Sequence, residues 1–360
     1  MAETVEIAPK RAGIATTIFR WLGVVAALIW LVQAVTGILL TYYFEVNDTL
    51  MSAVDKPKDF AAIEQQMDTL AAKGGEAKIN WIWSTAGRPD RFFLNYATPN
   101  GTNRAARIAG DGTVLLDMAE SEHTFLEWVR EVHLTLVAGK TGEWILTITS
   151  LLLLGNLILG IYTLWPRRER WGDALNPRRT TGDRLHAWYR AIGLVGVLPA
   201  FVVVAAAVTI FFEHSIEGPI GAPPIAMPAV APQGEGIGFA AAARAAEAAI
   251  PGSRFVGGPM ASAEDATWKL WVNQPGEYFR ENGYGGSLVL IDGNTGSVRG
   301  AFPLQQASAA YKFMALPYPI HTGEIAGPIG RLLVLLVGLW LATMTILGLI
   351  LWNRRRKIAG

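Results

Sequence analysis

Four long apolar runs interrupt an otherwise mixed chain: Trp21 to Phe44, Ile145 to Leu164, Ile192 to Phe212 and Leu332 to Leu351. Each approaches the roughly 20 residues that a helix needs to cross a hydrocarbon core, so the pattern predicts four spanning helices. Between the runs the period changes. Residues Asp59 to Ala72 and Phe239 to Ala249 have helical composition, and each precedes short strand-like stretches, Ile79 to Ser84 and Arg91 to Ala97 in one case, Thr267 to Asn273 and Ser287 to Ile291 in the other. Two turn segments also correspond, Ile108 to Val114 and Ile291 to Val298, in which Gly, Asn and Asp supply the turn and the closing valine starts a further strand.

The order of elements predicts an α+β membrane protein with four transmembrane helices in two repeated halves, each half carrying a small external domain of one helix and an antiparallel sheet. The expected divisions are 1–44 for the N-terminus and first helix, 45–125 for the first external domain, 126–165 for the second helix and 166–184 for an Arg-rich loop. Then follow 185–213 for the third helix, 214–318 for the second external domain with its linker, 319–353 for the fourth helix and 354–360 for a tail. A domain of about 70 residues buries only a modest core, so docking on the membrane helices or on its twin would help it. The Pro/Gly-rich stretch Gly218 to Gly236 reads as a flexible connection or a lid-like loop.

Composition agrees with the pattern. The chain has 360 residues, 51% hydrophobic and only 17% charged, which places it among membrane proteins. The first run is longer than a signal-peptide core and ends in Thr41-Tyr42-Tyr43-Phe44, without small residues for cleavage, so it reads as an anchor. Basic residues fall before the first run (Lys10, Arg11, Arg20), between the second and third (Arg167, Arg168, Arg170, Arg178, Arg179, Arg184) and after the fourth (Arg354, Arg355, Arg356, Lys357). This predicts that both termini and the middle loop are cytoplasmic and that the two long segments lie outside. With no cysteine, thiolate-held clusters and cysteine-ligated zinc are excluded. The net charge of +1 gives no reason to expect nucleic acid as a partner.

One spaced pattern occurs twice. His133, Gly139 and Gly142 match His321, Gly327 and Gly330, and the histidines precede their apolar runs by 12 and 11 residues. Two imidazoles at one depth on facing helices suit low-spin haem ligation, and the glycines suit close helix contact or a flat macrocycle. The alternative is a pair of interfacial histidines that cap or hydrogen-bond the external domains.

These features resemble the PepSY-associated transmembrane proteins, a bacterial inner-membrane family that includes ferric-siderophore reductases. The resemblance covers Phe19 to Arg355 and rests on the order of elements, the paired His-x5-Gly-x2-Gly segments, Thr36-Gly37, and the closing Trp165-Pro166-Arg167-Arg168 and Trp352-Asn353-Arg354-Arg355. It implies an outer haem b with His133 and His321 as axial ligands to the iron, a membrane oxidoreductase activity, and a quinol or iron-complex redox partner. Family members with a second, inner haem carry a histidine four residues before a glycine in the first and third helices; here those positions are Phe19 and Tyr189, before Gly23 and Gly193. One haem is therefore expected.

The remaining candidates divide between chemistry and structure. His186 is a displaced inner ligand or a hydrogen-bonding residue at the cytoplasmic interface, and Arg20 and Arg190 suit haem propionates, a quinone or, most simply, lipid phosphates. His123 and His214, beside Glu122 and Glu213, suit a transition-metal site or solvated and capping roles. Trp81, Trp83, Trp268 and Trp271 read as core or docking residues, and Trp165 and Trp352 as an interfacial belt. The Gly293 and Gly296 segment lacks the glycine spacing of a dinucleotide site. From a different class, a non-catalytic accessory subunit of a larger respiratory or transport complex also fits the replaced inner positions. A module that restrains a peptidase or senses the envelope has no specific residue behind it.

Overall fold

The computed structural model describes residues 14–51, 54–73, 78–85, 88, 90–119, 122, 124–164, 169, 171–179, 183–216, 227–278 and 286–359. The chain divides into two compact bodies. One, mainly helical, takes the described residues of 1–38, 131–204 and 335–360; the other holds the sheet and takes those of 39–130 and 205–334.

The sheet body begins with α2 (Tyr43–Leu50) and α3 (Phe60–Lys73), then β1 (Lys78–Ser84), β2 (Arg91–Ala97), β3 (Asn103–Ala109) and β4 (Val114–Ala119). It resumes with α8 (Phe239–Ala249), β5 (Arg254–Pro259), β6 (Thr267–Asn273), β7 (Ser287–Asp292) and β8 (Val298–Phe302), and ends in the short helices α9 (Ala309–Met314) and α10 (Pro317–Thr322). The strands expected to make two small sheets make one. Its order is β4-β3-β2-β1-β5-β6-β7-β8, antiparallel throughout. The join is the ladder Trp81↔Pro259, Ile82↔Gly258 and Trp83↔Gly257.

Alternation explains the core. Phe92, Leu94 and Tyr96 of β2 point to one face and are buried, as are Leu270 and Val272 of β6, and this face receives α3 and α8. Helix α3 buries Ile63, Met67 and Leu70 at helical spacing, while α8 presents Ala242, Ala243 and Ala246, small enough to lie close to its neighbours. Phe60, Phe239 and Phe255 meet edge to face, with centroids 5.5–5.9 Å apart, where the two sets of four strands join. Polar links close the same seam. Glu64 of α3 accepts from the Ala240 amide at the start of α8 (3.3 Å), which favours a negative charge there. Glu247 of α8 pairs with Lys58 and accepts from the Phe255 amide (2.7 Å).

Both helices are entered over the turn of their own hairpin. The Asp59 amide donates to the Gly110 carbonyl (2.9 Å), and the Ile237 amide to the Gly293 carbonyl (2.6 Å). Among the described residues only the second has a strap in front of it. Residues 227–236, expected as a free connection or lid, lie fixed along the sheet. Arg299 donates to the Pro228 carbonyl, Val230 exchanges bonds with Asp265 and Ala266, and Asn294 bonds both Ala231 and Gln233.

The helical body contains nearly all of α1 (Ile14–Leu40), the last five residues of α4 (Phe125–Thr135), α5 (Gly139–Leu164), the short α6 (Trp171–Ala174) and parts of α7 (Arg184–Ile216) and α11 (Gly327–Ala359). Segments Gly139–Tyr162, Arg184–Glu213 and Glu324–Arg355 are long and apolar enough to cross a membrane; α1 and α2 make a fourth such segment when taken as one bent span. Leu153 and Leu157 of α5 pack with Val197, Ala200 and Val204 of α7 and Val337 of α11. Two indoles tie helices to one another, Trp30 Nε1 donating to the Thr149 carbonyl (2.9 Å) and Trp340 Nε1 to the Ile192 carbonyl (2.7 Å). The Trp340 ring lies against Gly196, where any side chain would overlap it, a membrane-helix contact that a small residue makes possible.

Candidate functional site

Neither patterned histidine lies on a long helix. His133 occupies the last turn of α4 and His321 the last turn of α10, each separated from the following long helix by a break. The breaks are built alike. The carbonyl two residues after each histidine, Thr135 in one and Gly323 in the other, accepts from the amide three residues on, Ala138 (2.9 Å) or Ala326 (3.3 Å). The first glycine of each pattern has positive φ, 51° at Gly139 and 55° at Gly327, which L-residues adopt at a penalty. The second admits no side chain: a Cβ at Gly142 would overlap the Thr135 carbonyl, and one at Gly330 would overlap the Gly323 carbonyl. The glycines therefore shape the backbone turn that places each histidine, a role different from the helix contact or flat macrocycle expected of them.

His133 is held from α1. Its Nδ1 lies 2.8 Å from the Thr36 hydroxyl, and its Cε1 is in van der Waals range of where a Gly37 Cβ would stand. The Thr36 hydroxyl has one hydrogen, directed at the Val32 carbonyl (2.8 Å) with Gln33 as a longer second acceptor (3.2 Å). With that hydrogen on the carbonyl, the hydroxyl accepts from the imidazole, which is the tautomer with the proton on Nδ1 and the lone pair on Nε2. The Thr36-Gly37 pair thus orients the imidazole and lets α1 lie close to it. On the same face of α1 one turn earlier, the Gln33 Nε2 is buried without a hydrogen-bond partner among the described residues.

The N-terminus of α4 is fixed by a capping box in which Thr124 Oγ1 accepts from the Glu127 amide (3.3 Å) and Glu127 accepts from the Thr124 amide (2.9 Å). The same carboxylate accepts from Arg107 of β3 (3.2 Å), which also donates to the Tyr43 hydroxyl (2.9 Å) and lies over the Phe93 ring. Burial disfavours the charge on Arg107, but Tyr43 and Glu127 more than offset it and its pKa is raised. The sheet thus grips the N-terminal part of α4.

His321 has different surroundings. Helix α10 begins with Pro317, suited to a first helical position, and ends at Gly323 with φ 83°. Tyr278 donates to the Ile325 carbonyl within the break (3.3 Å). Just beyond, Arg331 grips Glu45 through both terminal nitrogens, donates to the Thr41 carbonyl (2.6 and 3.1 Å) and stacks on Tyr42. Nearby Glu277 is pushed up from its usual range by burial, although Ser287 and the Gln274 amide donate to it.

Among the other candidates, Tyr189 is half-buried with its ring about van der Waals distance from the Cβ position of Gly348, and His186 stands one turn earlier with ring centroids 6.4 Å apart. The side chains of Phe19 and His214, and all of His123 and Trp165, lie outside the described residues. Among the described residues no three His, Asp or Glu side chains gather as a metal site. Trp268 is core, while Trp83 and Trp271 meet on the opposite sheet face at 5.4 Å and Trp81 meets Phe93 at 5.2 Å. Gln33, Arg107 and Arg331 escaped the sequence reading; a polar residue inside or beside an apolar run was the available signal.

No curated protein matches the chain. The family described as the PepSY-associated TM region matches residues 18–355, nearly the whole length, and the chain belongs to that family.

Proposed function

We propose that the chain is a haem b-binding redox protein of the bacterial inner membrane, with His133 and His321 as axial ligands of one haem. The observation that carries this reading is the Thr36 hydroxyl at 2.8 Å from His133 Nδ1, which supports the tautomer that ligation through Nε2 requires. Gly37 lets the first helix approach the ring closely. Bound there, haem supplies reversible one-electron exchange. The distribution of arginines supports cytoplasmic termini and periplasmic segments 45–125 and 214–318, so the electron partner at this end is a quinol or an external iron complex.

A second reading, an accessory subunit of a larger membrane complex, is favoured by Tyr189, whose half-buried ring, packed near Gly348, stands at the position where an inner histidine ligand is expected. The optical spectrum of the purified, dithionite-reduced protein separates the two. A b-type α-band is expected that is lost in His133→Ala and in His321→Ala and kept in His186→Ala. Wild-type protein without the band sinks the haem reading and leaves the accessory one.

A further inference from the structure

The membrane-crossing part of α1 contains two side chains with strong hydrogen-bonding groups besides Trp30, namely Gln33 and Thr36. Thr36 is satisfied on both sides, by the Val32 carbonyl and His133. Gln33 is not: its Nε2 is buried and has no partner among the described residues. An amide left so in an apolar segment costs on the order of a lost hydrogen bond or more, which makes a polar residue there a functional one by default. Spacings of three and four place Gln33, Thr36 and Gly37 on one helix face, the face that meets His133.

We propose that the Gln33 amide donates to the carbonyl oxygen of a quinone head group bound beside His133. The chemistry of the occupant follows from depth and charge. Gln33 lies seven residues before the end of α1 at Leu40, about 10 Å of helix, among apolar neighbours. A carboxylate or phosphate would lose its hydration there, whereas a quinone is neutral, apolar and carries acceptor oxygens at its rim. The inference rests on the redox reading above for its purpose, but not for its geometry, which needs only α1 and α4.

Titration of the full-length protein in detergent with decylubiquinone, followed by quenching of tryptophan fluorescence, tests it. Saturable quenching is expected, with Gln33→Leu weakening affinity about tenfold and Thr343→Val, on an exposed helix face, leaving it unchanged. Without quinone, Gln33→Leu should unfold at the wild-type temperature or above, because it removes an unsatisfied amide. Three results would overturn the proposal: no wild-type binding, unchanged affinity in Gln33→Leu, or earlier unfolding of that variant without quinone. A Gln33→Leu protein that shifts the haem α-band while keeping quinone affinity would assign the oxygen to a haem carboxylate, also overturning it. Normal quinone binding in a protein without an α-band refutes the haem reading alone.

Discussion

At Thr135 and at Gly323 a carbonyl two residues beyond a histidine accepts the same amide and abuts the same glycine, but the two turns reach that shape by different means. The second puts its positive φ on Gly323 and Gly327. The first holds Leu136 at 52° and Val137 at 58° as well as Gly139, and a β-branched side chain in that region is strained. The supports differ too: Thr36, Gly37 and a sheet-anchored α4 on one side, a proline-framed α10 and the Arg331 clamp on the other. A shared backbone with separate supports shows which part of the pattern the residues dictate. The turn needs its second glycine; the setting of each histidine is free to diverge.

The largest effect should come from that glycine. Gly142→Ala and Gly330→Ala are each expected to destabilise by more than about 4 kcal/mol, because backbone must move to admit the methyl. Gly139→Ala has open space and only its φ to pay, about 1 kcal/mol. Thermal unfolding in detergent compares them, and equal effects at 139 and 142 would break the account of the turn.

Next is the anchor of α4. Arg107→Met leaves Glu127 without its cationic partner and should cost about 3 kcal/mol in denaturant unfolding. A change near zero would mean that the capping box alone holds α4.

The strap of the second half gives a pH test. Burial pushes Asp265 up, but hydrogen bonds from Thr267 and the Val230 amide, with Lys269 nearby, bring it from 3.8 down to about 2. A carboxylate depressed on folding stabilises above its unfolded pKa and loses that contribution as pH falls through the folded one. Wild type should therefore exceed Asp265→Asn by roughly 2 kcal/mol above pH 4, the gap closing towards pH 2. A gap independent of pH would refute the assignment.

The smallest effect is a gain. Val137 is 55% exposed, so Val137→Gly forfeits little burial while relieving its backbone, and should stabilise by about 1 kcal/mol. Loss of stability would show that the strain is not real.

Local pattern sufficed where the chain is locally consistent. Arg91–Ala97, Thr267–Asn273 and Phe239–Ala249 have the limits expected of them, since alternation or helical composition and burial agree. Strand β5, Arg-Phe-Val-Gly-Gly-Pro, has no strand signature; it is placed by pairing with β1, about 175 residues away, and its glycines let Lys269 and Trp83 approach. Strand β3, Asn-Arg-Ala-Ala-Arg-Ile-Ala, is alanine-rich and was legible only at its final turn. The breaks at 136–138 and 323–326 were hidden in the sequence because no proline marks the first. Thr36-Gly37 was visible as a pattern, but its partner His133 is 97 residues distant, and only folding brings the pair together.

The three-residue ladder between β1 and β5 has a further consequence. Two separate four-stranded sheets would present four unpaired rims to other chains, each a template for aggregation. Here the inner two are spent on one another. Because both belong to a single polypeptide, their meeting does not depend on how much protein the cell makes, and dilution does not part them.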